Sequence, residues 1–174
     1  MVWKKKIIII LISCCFSGCY NYTYKNGGHR PKKNKFTLAK TPYNLKKEDL
    51  IKTENLYFSN DTLTFGNGEY NSLFYIKFFK NGRCFERSVD ISEKTDIEKL
   101  NTATTPGYYK VINNNKIEIE FFYVKHKERS WYSKFTGFIR NDTLFIKGTY
   151  KQEQEVLRAY IPEKIKGLKQ TTDW

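Results

Sequence analysis

From Glu54 to Ile161 the chain reads as runs of aromatic and β-branched residues that alternate with polar ones and are broken by Asn-Gly, Asn-Asp and Asn-Asn pairs. A period of two with turn residues between the runs predicts antiparallel strands joined by hairpins. Lys116-Ile117-Glu118-Ile119-Glu120-Phe121 shows the pattern most cleanly, apolar inward and charged outward. Beyond it Phe122, Tyr123 and Val124 are apolar on both faces, so something should cover that end. A last strand runs from about Gln154 to Ile161. Between Ser92 and Pro106 the pattern lapses, and Asp96-Ile97-Glu98-Lys99-Leu100 predicts a short helix capped by Ser92 or Thr95.

Each turn imposes a register that can be checked against side-chain chemistry. A two-residue loop at Asn81-Gly82 sets Phe78 opposite Phe85 and Phe74 opposite Val89. It leaves Lys77 and Glu86 as an ion pair on the solvent face, where Cys84 also falls, beside Phe79. At Asn141-Asp142 the same count pairs Ile139 with Leu144, Gly137 with Ile146, Phe135 with Gly148 and Ser133 with Tyr150. After the first of these pairs, large residues meet small ones, as a closing barrel requires. A loop at Asn60-Asp61 pairs Phe58 with Leu63 and Leu56 with Phe65. Asn113-Asn114-Asn115 pairs Val111 with Ile117 and Tyr109 with Ile119.

The fold class is therefore all-β, an antiparallel meander of eight or nine strands with one short helix near 95–100. Closure at that number gives an up-and-down barrel, and a two-layer β-sandwich is the alternative. Over Glu54 to Ile161 the chain resembles the small lipocalin-like domains of bacterial lipoproteins. The resemblance is architectural, without the Gly-x-Trp of lipocalins before Leu56.

The first residues change the picture. Lys4-Lys5-Lys6, the apolar run Ile7 to Ile12 and Phe16-Ser17-Gly18-Cys19 form a positive segment, an apolar segment and a small residue before a cysteine. This resembles a bacterial lipoprotein signal, which implies cleavage after Gly18 and lipidation of Cys19. Leu11-Ile12-Ser13-Cys14 also fits that pattern but leaves a shorter apolar segment, so Cys14 stays open as the attachment site. The expected organisation is a signal peptide at 1–18, a lipid anchor and basic flexible tether at 19–47, and the β domain at 48–174.

Charge follows the same division. The net charge is +13, yet three of the 31 basic residues lie in the signal and eight between Tyr20 and Lys47, where no Asp or Glu occurs. From Glu48 onward 20 basic residues face all 18 acidic ones, a balance of +2. The basicity belongs to the tether, which suits anionic headgroups and argues against a nucleic-acid partner.

Catalytic chemistry is not legible. Cys84 and His126 are the only thiol and imidazole in the β domain, and nothing places them together. No metal-ligand spacing, phosphate loop or cofactor motif stands out: Gly66-Asn67-Gly68 reads as a turn, and Glu118 and Glu120 as a solubilising face. The expected role is non-enzymatic binding in the cell envelope, periplasmic or surface-facing, with membrane lipid as one partner. A small apolar ligand would sit in the barrel, lined by Phe74, Phe78, Phe85, Ile119, Phe121, Phe135 and Ile146. The alternative is an interaction module that meets an envelope protein or glycan through Trp131, Tyr132, Phe138 and Phe145. A hydrolase without a recognisable motif comes third.

Overall fold

The computed structural model describes residues 21–25, 27–65, 70–102, 104–125, 129–150 and 154–168. A small hairpin comes first, β1 (Tyr22–Lys25) with β2 (Gly28–Pro31). Eight strands then close into an antiparallel barrel: β3 (Asn55–Phe65), β4 (Tyr70–Phe78), β5 (Arg83–Asp90), β6 (Thr105–Asn113), β7 (Lys116–Lys125), β8 (Arg129–Arg140), β9 (Thr143–Tyr150) and β10 (Gln154–Lys164). Successive strands are neighbours throughout, and β10 pairs with β3 to complete the circle. This is the lipocalin-like barrel expected of the sequence, not the sandwich. A four-residue helix, α1 (Ile97–Leu100), lies in the β5–β6 connection, with Asp96 rather than Ser92 or Thr95 as its cap.

Two of the expected hairpins form in the expected register. β8 and β9 pair Ile139 with Leu144, Gly137 with Ile146 and Phe135 with Gly148. Asn141 and Asp142 both take positive φ, 49° and 61°, as a two-residue turn matched to strand twist demands. β6 and β7 pair Val111 with Ile117 and Tyr109 with Ile119, with an irregularity that absorbs one residue before Asn113.

Two others differ. Gly82 adopts φ of 74°, and Phe79 N–H donates to the carbonyl of Arg83 at 2.9 Å. The loop therefore holds three residues, with glycine in the left-handed position, and the register moves by one. Phe78 meets Cys84, Lys77 meets Phe85 and Ile76 meets Glu86. Every side chain of β5 thus lies on the opposite face from that expected. Asn60-Asp61 is not a turn at all. β3 runs straight through it, with a register shift between Phe58 and Thr62, and Phe58 pairs with Tyr75.

The interior of the barrel holds Tyr57, Ile76, Phe78, Cys84, Tyr109, Ile117, Ile119, Phe121, Phe135, Ile139, Leu144, Ile146 and Tyr160. Ile51, Tyr43 and Leu45 pack against this core and close one end, where Leu45 N–H donates to the carbonyl of Lys80 at 2.8 Å. A second core lies outside the wall of β3–β5: Leu56, Phe58, Tyr75, Phe79, Phe85 and Val89, covered by Leu100 of α1 and by Ile165 and Leu168.

Residues 28–38, within the expected flexible tether at 19–47, lie instead against the barrel wall. β2 packs on β6 and β7, and Phe36 is buried between the rings of Tyr108 and Tyr132, at 4.9 and 4.8 Å. Glu120 is therefore not a solvated carboxylate. It is buried and accepts from Thr37 Oγ1 at 3.1 Å and Leu38 N–H at 3.0 Å. A basic composition still supplied two apolar anchors, and the wall supplied a carboxylate for the backbone between them.

Candidate functional site

Away from the closed end the barrel interior turns polar. Glu86 projects inward from β5, and both of its oxygens are engaged: Oε2 accepts from Tyr123 Oη at 2.7 Å and Oε1 from Tyr160 Oη at 3.3 Å. Arg158 on β10 brings Nη1 to 3.9 Å from Oε1. Its guanidinium lies 4.2 Å from the centroid of the Phe74 ring, a cation–π contact. Trp131 stacks on Tyr123 with centroids 5.7 Å apart and planes 22° from parallel. Strand alternation positions the whole group: Glu86 lies two residues beyond inward Cys84, Arg158 two before inward Tyr160, and Trp131 directly opposite Tyr123.

A charge inside a barrel is tolerated when it is paired and hydrogen-bonded. Burial pushes the Glu86 carboxyl above its ordinary value, while Tyr123, Arg158 and Tyr160 hold it back. Burial works against the Arg158 charge too, but Tyr160 and Glu86 outweigh it and the guanidinium is held more firmly protonated than usual. Accessibility differs along the group. The Glu86 side chain is 9% exposed and that of Arg158 23%. Phe74, Tyr123 and Trp131 are half-buried although they face inward. Exposure thus rises from the carboxylate to the guanidinium and the rings.

Of the residues expected to line a ligand, Phe74, Phe78, Ile119, Phe121, Phe135 and Ile146 face inward. Phe85 does not; the one-residue register change places it in the outer core beside Tyr75 and Phe79. Of the expected contact face, Trp131 points into the barrel, and Tyr132 points outward but lies under Phe36, its hydroxyl donating to the carbonyl of Lys33 at 3.3 Å. Phe138 and Phe145 do stack on the outer wall, with centroids 5.0 Å apart and planes at 16°. Cys84 faces inward and is fully buried, and burial with Glu86 nearby drives its thiol well above the ordinary range, the opposite of an activated nucleophile. Cys14, Cys19, His126 and the Gly66–Gly68 turn lie outside the described residues. Among the described residues no group of three or more His, Cys, Asp or Glu could hold a metal ion.

Glu86 and Arg158 were missed by sequence reasoning for a single reason each. Glu86 becomes an inward residue once Gly82 is counted as the left-handed third residue of its loop. Arg158 carries a local signal, since it and Tyr160 share a face of β10, but a lone inward arginine resembles any exposed one until closure of the barrel is known.

Compared with known protein families, curated proteins and solved structures, the chain matches none.

Proposed function

We propose that this protein is a lipid-anchored binding protein of the bacterial envelope. Its barrel takes a small ligand with an apolar body and an anionic head at the Arg158 end. One observation carries the reading: the guanidinium inside the barrel is the more accessible member of its ion pair, and it is framed by inward-facing rings. Arginine is suited to carboxylate and phosphate heads, which it can grip with two parallel hydrogen bonds. The apolar body would lie along Phe74, Tyr123 and Trp131, towards Phe121 and Phe135. The anchor rests on the signal that ends at Cys19, and mass spectrometry of the mature N-terminus tests it.

Titration of the full chain with a fluorescently labelled palmitate tests the ligand site. Saturable uptake should weaken at least tenfold in Arg158→Met and on esterification of the carboxylate. Equal uptake by the variant, or none by the native protein, overturns the assignment.

A second reading has its own support. Phe138 is 43% exposed, Leu157 66% and Ile161 48%, and with Phe145 they place apolar side chains across the outer wall of β8, β9 and β10. Such a strip fits an envelope-protein contact. Phe138→Ser would abolish co-purification of that partner and leave palmitate uptake unchanged.

A further inference from the structure

The segment expected to hang as a spacer is bolted to the barrel, and this fixes where its charges point. Lys32 N–H donates to the carbonyl of Asn21 at 2.9 Å, which ties the end of the β1–β2 hairpin to its beginning. From there Lys35 N–H donates to Tyr132 Oη and Asn34 Nδ2 to Tyr108 Oη, both at 3.4 Å, and Phe36 and Leu38 are buried. Lys32, Lys33, Lys35 and Lys40 stay exposed, as does Lys134 on the same wall. Lys134 borders a depression of about 240 Å³ whose lining includes Leu38, Glu118, Thr136 and Lys147. The carboxylates of this wall are already used: Glu118 pairs with Lys110 at 2.8 Å, and Glu120 is buried under Thr37 and Leu38. What remains towards solvent is cationic.

The proposed anchor at Cys19 decides the partner. Asn21 is two residues from Cys19, a reach of about 7 Å at full extension, whereas a free spacer from Tyr20 to Lys47 would reach roughly 95 Å. Electrostatic attraction to a charged surface falls off within a Debye length of about 8 Å at physiological ionic strength. The short connection brings the lysines fixed on the wall towards that range.

We infer that the wall formed by residues 30–40 and the outward face of β8 docks on anionic phospholipid headgroups and holds the barrel in one orientation on its membrane. This rests on lipidation at Cys19, proposed above, and adds a specific face to it. A flexible tether would leave the barrel free to rotate. A bolted one presents Lys32, Lys33, Lys35 and Lys134 to the bilayer and turns Lys46, Lys47 and Lys164 away, at the closed end of the barrel.

Lysine acetylation footprinting on the lipidated full-length protein tests this, in phosphatidylcholine vesicles with or without 30% phosphatidylglycerol. On the anionic vesicles Lys32, Lys33, Lys35 and Lys134 should be acetylated at least threefold more slowly. Lys46, Lys47 and Lys164 should be unchanged, and 0.5 M NaCl should remove the difference. In Lys32→Glu/Lys33→Glu/Lys35→Glu, whose altered side chains are all exposed, Lys134 should react equally on both vesicles. Uniform rates on the two vesicles, or protection at Lys46 and Lys47 instead, overturn the docking face. N-terminal mass spectrometry reports the anchor separately. If Cys19 proves unmodified, sedimentation of the full chain with anionic but not neutral vesicles still supports the face, and failure to sediment with either overturns it.

Discussion

Glu86 and Lys77 are both ionisable groups that the fold has taken out of water, and their opposite charge gives opposite dependence on pH. The Glu86 carboxyl, ordinarily near 4.5, is raised chiefly by burial. Below pH 4.5 both folded and unfolded chains hold its proton. As pH climbs past that value the unfolded chain releases the proton first, so this residue subtracts stability until the folded carboxyl has ionised as well. Glu86→Gln should flatten that decline while staying within about 1 kcal/mol of the native protein at pH 7. Glu86→Ala, which strips two tyrosine hydroxyls of their acceptor, should cost about 2–3 kcal/mol. Urea midpoints at pH 4.5, 5.5 and 6.5 check both. Lys77 is buried in the outer core, its Nζ donating to the carbonyl of Thr53 at 2.7 Å, and burial lowers its pKa from 10.5 to about 8, with Glu54 opposing. Between pH 8 and 10.5 the folded amine has lost its proton and the unfolded one has not, so Lys77 adds stability as pH rises through that window. Lys77→Met should abolish the rise, read as Tm against pH from 8 to 10.

At the scale of elements, local turn chemistry and tertiary burial were legible to different degrees. Asn141-Asp142 announced its turn, its register and the large-against-small pairing around it; a Cβ on Gly148 would stand 2.4 Å from Phe135 Cδ1. Gly148→Ala should accordingly cost about 1–3 kcal/mol by overpacking, measured by denaturant unfolding. Asn81-Gly82 announced a turn but not its length, because Asn-Gly serves both two-residue and three-residue loops. That single residue decides whether Phe85 or Glu86 enters the barrel. β3 was misread at Asn60-Asp61 because a turn-forming pair can sit within an irregular strand. The segment strapped across the outer wall, residues 30–40, was least legible of all. Phe36 and Leu38 are two apolar residues in a basic, turn-rich run, and only the wall they land on, with Tyr108, Tyr132 and Glu120, makes them anchors. Truncating Phe36 to Ala removes a ring held between two others while the barrel strands keep every partner. It should release residues 30–40 to limited proteolysis and leave the strand circular dichroism of the barrel intact.

For the whole molecule, the arrangement is one closed wall with three different claims on its surfaces. The inside is divided lengthwise, with Ile51, Tyr43 and Leu45 sealing the apolar end and the Glu86–Arg158 group towards the other. The outside of β3–β5 is covered by α1 and the chain after β10, and the outside of β6–β8 by the strap. Because the proposed ligand site and the strap lie on opposite sides of the same wall, their effects should separate thermodynamically. A ligand that binds only the folded barrel adds about 2.7 kcal/mol at a hundredfold excess over its Kd. For a chain of this length that corresponds to a Tm increase of about 5–10 °C. Palmitate at that excess should produce such an increase in the native protein and in Phe36→Ala, and almost none in Arg158→Met, by differential scanning calorimetry. Strap and interior would then be two independent devices on one barrel, the first positioning it and the second occupied by what it carries; loss of the increase in Phe36→Ala would mean instead that the wall transmits the strap's grip to the site.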